Sequence, residues 1–227
     1  MENPNLFEGD IMGIENIEDL NATPKKGYLW PGGQVPYRIK SPLKYDNILD
    51  YSPLCPVYAM RIIKSTMRYI EDRTCIRFVP RTSEKNYVNI IRDVGCYTYV
   101  GRSRNGPHDL SLGSGCVRFP IVLHELTHVL GFFHEHNRSD RDDYLRIIWD
   151  NISIESKTQF NKMSPSDHLL LAPFDYESIQ LYGSRAFSED GFSKTIVAKD
   201  GSRLLETYEK KGYSKHDIKK IRTLYKC

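Results

Sequence analysis

The spacing of apolar residues predicts three helices. Between residues 57 and 71, apolar side chains recur at intervals of three and four, which is the periodicity of an amphipathic helix. These side chains are Met60, Ile63, Met67 and Ile70. A second helix is predicted at about residues 120–130. A third is predicted over residues 214–224, where Ser214 is a suitable N-cap because Asp217 follows three residues later.

Alternating or clustered β-branched and aromatic residues predict strands in the first half of the chain. The predicted strands are residues 35–39, 75–79, 87–91 and 97–100. Between the last two helices the pattern is weak, and this stretch is predicted to be mostly loop. The chain therefore predicts an α+β fold with a structured first half, and its 227 residues suit one domain that is cleft into two lobes.

Charge and hydropathy exclude two classes of function. The net charge of +3 is too small and too dispersed for the basic surface that nucleic acid requires. The longest apolar stretches, such as residues 119–123 and 169–172, fall far short of the roughly 20 residues that span a bilayer. We therefore expect no nucleic-acid partner and no membrane span.

Cysteines and glycosylation sequons indicate an exported protein. Five cysteines are present without a CxxC pair, so disulfides are favoured over a thiolate zinc site. Three N-x-S/T sequons, at Asn21, Asn137 and Asn151, are predicted glycan acceptors. The first residues lack the basic and apolar regions of a signal peptide. We expect a secreted protein whose leader is missing from this chain.

The segment HELTHVLGFFH, residues 124–134, carries the chemistry. On a helix, His124 and His128 project from one face and can share a metal ion. Gly131 suits a sharp turn that brings back a third ligand, His134. Three neutral imidazoles around Zn²⁺ leave a position open and lower the pKa of a bound water toward ~7. Glu125, beside the first ligand, is the candidate general base and acid.

Alternative interpretations of this segment are weaker. A single H-x-x-x-H pair is usually structural, but composition alone would produce all five fixed positions with a probability of about 2 × 10⁻⁵. A closed structural zinc site usually recruits a fourth protein ligand. The remaining histidines lie in polar or loop contexts and are predicted to have surface roles; they are His108, His136, His168 and His216.

The sequence resembles the astacin-type zinc endopeptidases of the metzincin clan. The resemblance rests on HELTHVLGFFHEHNRSDRD (residues 124–142), on FDYESI (residues 174–179) and on YLWPGGQVPY (residues 28–37). It extends to the end of the chain. It implies a two-lobed metzincin fold with a twisted sheet and the active-site helix in the first lobe, lobes that meet near Gly131, and a mostly irregular second lobe that ends in a helix.

The resemblance also implies roles for individual residues. His124, His128 and His134 would bind one zinc ion, and Glu125 would be the catalytic acid and base. Tyr182 matches the tyrosine that coordinates zinc at rest and then stabilises the oxyanion, for which a phenol is suited.

One position departs from the family pattern. The methionine beneath the zinc site is replaced by Gln180, whose amide must find hydrogen-bond partners or suffer a desolvation cost. We expect activity to survive, with zinc affinity and stability affected. Gln180 is the only support for the alternative that this chain is a catalytically weak or inactive pseudoprotease that binds proteins. A zinc hydrolase of a non-peptide substrate is permitted by the local motif but not favoured by the resemblance.

The resemblance further implies disulfides between Cys75 and Cys227 and between Cys96 and Cys116. Cys55 has no counterpart, and a free buried thiol or an intermolecular bridge are both open. Many relatives favour an acidic residue after the scissile bond. Lys210 or Lys211 would supply a cation that binds such an acidic residue, although lysines in a charged stretch are usually on the surface.

The acidic N-terminus contains FEGD, residues 7–10, which is similar to the aspartate-switch motif of astacin propeptides. Asp10 would then occupy the water position on zinc and keep the enzyme latent. Residues 1–20 would be the propeptide and residues 21–227 the peptidase domain. The new amino terminus would lie near Glu135. No basic residue immediately precedes residue 21, so the sequence does not indicate which protease activates the enzyme. The sequence thus predicts a secreted zymogen that cleaves protein or peptide substrates.

Overall fold

A five-stranded sheet forms the first half of the described chain. The structure is a computed structural model that describes residues 3–14, 26–40, 56–103, 105–166 and 169–227. The strands lie in the spatial order β2, β1, β3, β5, β4. In chain order they are β1 Gln34–Ile39, β2 Arg77–Pro80, β3 Val88–Ile91, β4 Cys96–Tyr97 and β5 His108–Leu112. All pair in parallel except β4, which is antiparallel to β5.

Three α-helices accompany this sheet: α1 Pro56–Glu71, α2 Phe119–Val129 and α3 Lys215–Tyr225. Residues 121–129 of α2 are all buried. The start of α3 follows from its cap, because the Ser214 hydroxyl accepts hydrogen bonds from the backbone N–H groups of His216 and Asp217. The α+β fold and the three predicted helices are confirmed. None of the helices in the described ranges is long and apolar enough to cross a membrane.

The strand predictions need correction. Strand β4 ends at Tyr97 instead of continuing to residue 100. Strand β5 was not predicted, since three of its five residues are polar. The stretch predicted as loop contains a short antiparallel pair, β6 Leu145–Ile147 and β7 Ile196–Ala198. Three residues are too few to display the alternation from which a strand is predicted.

Two hydrophobic clusters form the cores of the two halves of the described chain. The first includes buried residues of the sheet, of α1 and α2, and also Ile221 of α3. The second is formed between residues 145 and 204 and includes Phe160. A turn, residues 178–182, connects them, since Ile179 lies in the first cluster whereas Leu181 and Tyr182 lie in the second.

Two disulfides restrain the ends of these elements. Cys75 bonds to Cys227, which ties the chain before β2 to the second residue after α3. Cys96 bonds to Cys116, which ties β4 to the loop before α2. Both pairs are those that the family resemblance implies. Cys55, Asn21 and His168, and the predicted start of the mature chain, lie outside the described residues.

Candidate metal centre and active site

Helix α2 carries two of the predicted ligands on one face. The Nε2 atoms of His124 and His128 are 3.1 Å apart. Each imidazole directs Nδ1 to a backbone carbonyl, that of Ile179 at 2.8 Å and that of Phe132 at 2.7 Å respectively. A carbonyl only accepts, so both rings carry their proton on Nδ1 and keep Nε2 available for a metal.

Gly131 turns the chain directly after α2. Its φ is +101°, a left-handed conformation that glycine adopts readily. A Cβ there would meet its nearest neighbour, Leu29, at 3.7 Å, which is an ordinary contact. The backbone conformation, rather than space, therefore requires glycine. The turn returns the chain so that Nε2 of His134 lies 3.1 Å from Nε2 of His124.

The N-terminal segment, residues 3–14, completes the cluster with Asp10. Its Oδ2 lies 3.1 Å from Nε2 of His124, and its Oδ1 lies 3.5 Å from Nε2 of both His128 and His134. Zinc bound tetrahedrally at about 2.0–2.1 Å separates its ligand atoms by about 3.3 Å, so the four groups fit this ion. Asp10 and the three histidines are completely or almost completely buried and form a group that can hold one metal ion.

The charges of these groups perturb one another. Burial acts to raise the pKa of Asp10, but the His134 and His128 imidazoles outweigh it and hold that pKa well below its usual value. Burial lowers the pKa of His124 to about 3, which favours the neutral imidazole that a metal needs. For His134, burial is outweighed by the carboxylates of Asp10 and Glu8, which raise its pKa to about 9.

Glu125 lies beside the ligands with its carboxylate buried. Among the described residues, neither of its side-chain oxygens has a hydrogen-bond partner. Burial, followed by the charge of Asp10, raises the pKa of Glu125 well above its ordinary value. A buried acid without a protein partner is uncommon and is typical of groups that exchange protons with substrate or water.

Tyr182 reaches the same cluster from the turn at residues 178–182. Its hydroxyl lies 3.0 Å from Oδ2 of Asp10 and 2.9 Å from the backbone oxygen of Glu8. Its ring stacks on His136, with ring centroids 4.8 Å apart. His136 is therefore fully buried, and the predicted surface role is wrong for it.

His108 is a second exception to the predicted surface roles. It is 3% exposed and stacks on Tyr99, and its edge contacts Trp30. Burial lowers its pKa to about 4. Its polar neighbours in sequence suggested a surface position, but strand β5 passes through the interior of the sheet. His216 is half-buried at the start of α3.

Gln180 replaces an apolar floor with a partly satisfied amide. Its Nε2 donates to the backbone oxygen of His124 at 3.3 Å, whereas its Oε1 has no partner among the described residues. The same turn is held by Lys210, whose ammonium donates to the carbonyls of Ser178 and Leu181. Lys210 is buried, and burial lowers its pKa to about 8, so the predicted surface position is wrong. Lys211 is exposed.

Glu135, directly after the third ligand, is buried and bonds to groups from several parts of the chain. Its carboxylate pairs with Arg138 and with Lys220 of α3, each at 2.8 Å. Its backbone N–H donates to the carbonyl of Gln180 at 2.9 Å. A cavity of about 60 Å³ borders Glu135, His134 and Lys220. The Lys220 contact was missed, although Lys220 lies three residues after Asp217 and thus on the same buried face of α3.

The two described sequons differ. Asn137 is fully buried, and its amide nitrogen donates to the backbone oxygen of Gln159 at 2.9 Å. Burial in the fold disfavours a glycan at Asn137, whose glycosylation stays a prediction. Asn151 is half-buried and its amide donates to the backbone oxygen of Lys194. Glycosylation of Asn151 stays a prediction.

Comparison with known proteins decides the family. Residues 22–226 match the family model Astacin (Peptidase family M12A). This chain belongs to the astacin family. Together with the buried cluster of three histidines and Asp10, that membership identifies a zinc metalloendopeptidase that binds one zinc ion.

Individual astacin relatives extend over nearly the whole chain. Astacin-like metalloprotease toxin 1 of Loxosceles intermedia is 40% identical over 227 residues, which is 98% of this chain and 81% of that protein. Zinc metalloproteinase nas-15 of Caenorhabditis elegans is 41% identical over 247 residues, but the chain spans only 40% of that protein. High choriolytic enzyme 1, a hatching enzyme zinc-protease from Oryzias latipes, matches in structure with a TM-score of 0.72 at 34% identity, over 96% of this chain and 100% of that one.

Proposed function

We propose that this astacin is a latent enzyme in which Asp10 blocks the zinc site until the N-terminal segment is removed. The observation that carries the proposal is the position of Asp10, whose carboxylate lies 3.1–3.5 Å from all three histidine Nε2 atoms. A carboxylate is a good zinc ligand and fills the position that the attacking water needs. Residues 1–20 are then the propeptide and residues 21–227 the peptidase domain, with lobes that meet near Gly131.

Backbone contacts hold the blocking carboxylate in place. The N–H of Thr98 donates to the carbonyl of Asp10 at 3.0 Å, and the N–H of Met12 donates to the carbonyl of Thr98 at 2.8 Å. The N-terminal segment thus adds to the edge of the sheet beyond β4, where an extended peptide would otherwise bind. The blocked region is the one that we propose receives an extended protein or peptide substrate.

After removal of the segment, the chain's own groups perform peptide hydrolysis. His124, His128 and His134 hold zinc, which supplies Lewis-acid polarisation and lowers the pKa of water. Glu125, without a protein partner, takes the proton from the attacking water and returns it to the leaving amine. Tyr182, released from Asp10, donates its hydroxyl to the oxyanion that develops on the carbonyl.

The supporting measurement is cleavage of gelatin or casein by full-length protein and by protein lacking residues 1–20, each with and without a zinc chelator. We expect activity to appear on trimming and to disappear with chelator. Full-length Asp10→Ala should cleave without processing. If that variant stayed inert while the trimmed protein was active, Asp10 would not be the block. If the trimmed protein contained zinc but cleaved nothing, the pseudoprotease alternative would gain weight.

Export is part of the same proposal. The two disulfides support an oxidising compartment, because such bonds persist outside the cytosol. The match to a protein named as a toxin agrees with secretion. An activating protease is then required to cut near residue 21. We propose that the new amino terminus binds beside Glu135, next to the cavity there.

A further inference from the structure

The three predicted zinc ligands differ in the hydrogen-bond partners of their Nδ1 atoms. His124 and His128 direct Nδ1 to backbone carbonyls of the peptidase domain itself. The Nδ1 atom of His134 instead lies 2.7 Å from Oε2 of Glu8, which belongs to the N-terminal segment. The third ligand therefore depends on a side chain that is 126 positions away and that leaves with the propeptide.

We propose that Glu8 is the hydrogen-bond partner that orients and strengthens His134 as a zinc ligand. The N-terminal segment then acts on the zinc site in two ways, through Asp10 and through Nδ1 of His134. This inference rests on the proposed latency and names a second element of it. Carboxylates that accept the far N–H of a metal-bound imidazole fix its tautomer and orientation and strengthen it as a ligand. Such a bond to a carboxylate is stronger than one to a neutral carbonyl.

The position of Glu8 is specific rather than incidental. Its side chain is 1% exposed, and the same Oε2 also accepts the backbone N–H of His134 at 3.1 Å. Its φ of +51° is unusual and unfavourable for a residue with a side chain. The two bonds to His134 and the bond from Tyr182 to its carbonyl compensate for that conformation.

The neighbouring glycine explains how the segment comes this close. Gly9 has a φ of +92°, and a Cβ on it would lie 2.5 Å from Cζ of Phe187 and 3.2 Å from the hydroxyl of Tyr182. Only glycine lets the backbone between Glu8 and Asp10 lie against these rings. The two acidic side chains then reach opposite nitrogens of His134: Glu8 at Nδ1 and Asp10 at Nε2.

Removal of the segment therefore has two consequences at the metal. One ligand, Asp10, is lost and opens a position for water. In addition, His134 loses its carboxylate partner and becomes a weaker ligand than in the latent form. Activation thus changes the zinc affinity of the peptidase domain as well as its access to substrate.

The test is the zinc affinity of full-length variants, measured by competition with a chromophoric chelator. We expect Glu8→Ala to lower the affinity by about 10–100-fold, the usual effect of removing such a partner. Glu8→Gln has the same shape and an amide oxygen that can accept the bond, so its loss should be smaller. The visible spectrum of the Co²⁺-substituted proteins should shift in the same order, because it reports the field of the ligating imidazoles.

Two controls separate this role from simple docking of the segment. Phe7→Ala removes a ring that packs edge-on against Phe133, 6.4 Å between centroids, without touching a zinc ligand. In the second, Glu8→Ala is compared with its parent in a full-length Asp10→Ala background, where Asp10 no longer contributes. We expect Phe7→Ala to have a smaller effect than Glu8→Ala, and the Glu8 effect to persist without Asp10.

An affinity of Glu8→Ala within twofold of the parent would overturn the proposal, and so would an equal loss in Phe7→Ala. These outcomes are distinct from failure of the latency proposal. Latency is judged by cleavage in the full-length protein and in Asp10→Ala, whereas the role of Glu8 is judged by zinc affinity and by the Co²⁺ spectrum.

Discussion

Helix α2 and the chain that follows it hold their zinc-site residues by different means. His124, Glu125 and His128 lie on a continuous buried helix within the first hydrophobic cluster. His134 and Tyr182 lie on turns, and each is held by side-chain contacts that include the N-terminal segment. The helical half of the site keeps its geometry through backbone hydrogen bonds, whereas the irregular half depends in part on contacts with the N-terminal segment.

If the N-terminal segment is removed as we propose, this difference indicates which half of the site changes. Backbone hydrogen bonds of a buried helix are among the most persistent interactions in a folded protein. In the proposed activation, the Tyr182 hydroxyl exchanges one partner, Asp10, for another, the oxyanion. We therefore expect substitution of Glu125, in the helical half, to lower activity more than substitution of Tyr182, in the irregular half.

Glu125→Gln should produce the largest effect. In protein lacking residues 1–20, we expect kcat for casein peptides to fall by about 10²–10⁴-fold, because the amide cannot accept and return the proton. Zinc content and Tm should stay near those of the parent. The residue keeps its volume, and its carboxylate oxygens accept no hydrogen bond from the described residues. Undiminished cleavage by a purified, zinc-containing variant would exclude Glu125 as the base.

Tyr182→Phe should produce the next largest effect. Loss of one oxyanion donor lowers kcat by about 10²–10³-fold in other hydrolases, and we expect a decrease near the lower end of that range with little change in KM. The matched control is Tyr176→Phe. Its hydroxyl also donates one hydrogen bond, to the backbone oxygen of Tyr144, but makes no contact with the zinc ligands. Equal losses in the two variants would indicate a general loosening of this half instead of a catalytic role.

The same division explains how much the sequence could predict. HELTH is contiguous, and helical periodicity alone places His124, Glu125 and His128 together. The helices and both disulfides were predicted, the helices from periodicity and caps and the disulfides from the family resemblance. The contact between Glu8 and His134 joins residues 126 positions apart, and no local pattern encodes it. The nearest signal was an acidic residue two positions before Asp10.

Burial of polar groups was the other property that the sequence concealed. His136 and Lys210 have polar neighbours along the chain, which favours a surface position. In the fold, His136 stacks on Tyr182, and Lys210 crosses beneath the turn to donate to two carbonyls. Both positions are set by tertiary contacts in the irregular half. Local sequence predicts burial poorly there because no regular period relates neighbouring side chains.

Gln180→Met tests the turn that connects the two hydrophobic clusters, residues 178–182, and should have the smallest effect. Gln180 lies between Ile179 of the first cluster and Leu181 of the second, and its buried Oε1 lacks a partner among the described residues. An unsatisfied buried acceptor costs about 1–3 kcal/mol, and only one long bond, 3.3 Å, offsets it. We expect methionine to raise the free energy of unfolding by about 1 kcal/mol. For a chain of this size, that change corresponds to a Tm increase of about 2–4 °C.

The control for Gln180→Met is Gln159→Met in the full-length protein. Gln159 is also buried, but its amide nitrogen donates to the backbone oxygen of Pro4 at a normal 3.0 Å. Methionine there should leave that carbonyl unpaired and lower the Tm. Activity of the trimmed Gln180→Met protein should stay within twofold of its parent, because the side chain contacts the backbone of His124 and not its ring. A lower Tm for Gln180→Met would mean that ordered water satisfies the glutamine amide. An apolar residue would then not stabilise the turn at residues 178–182.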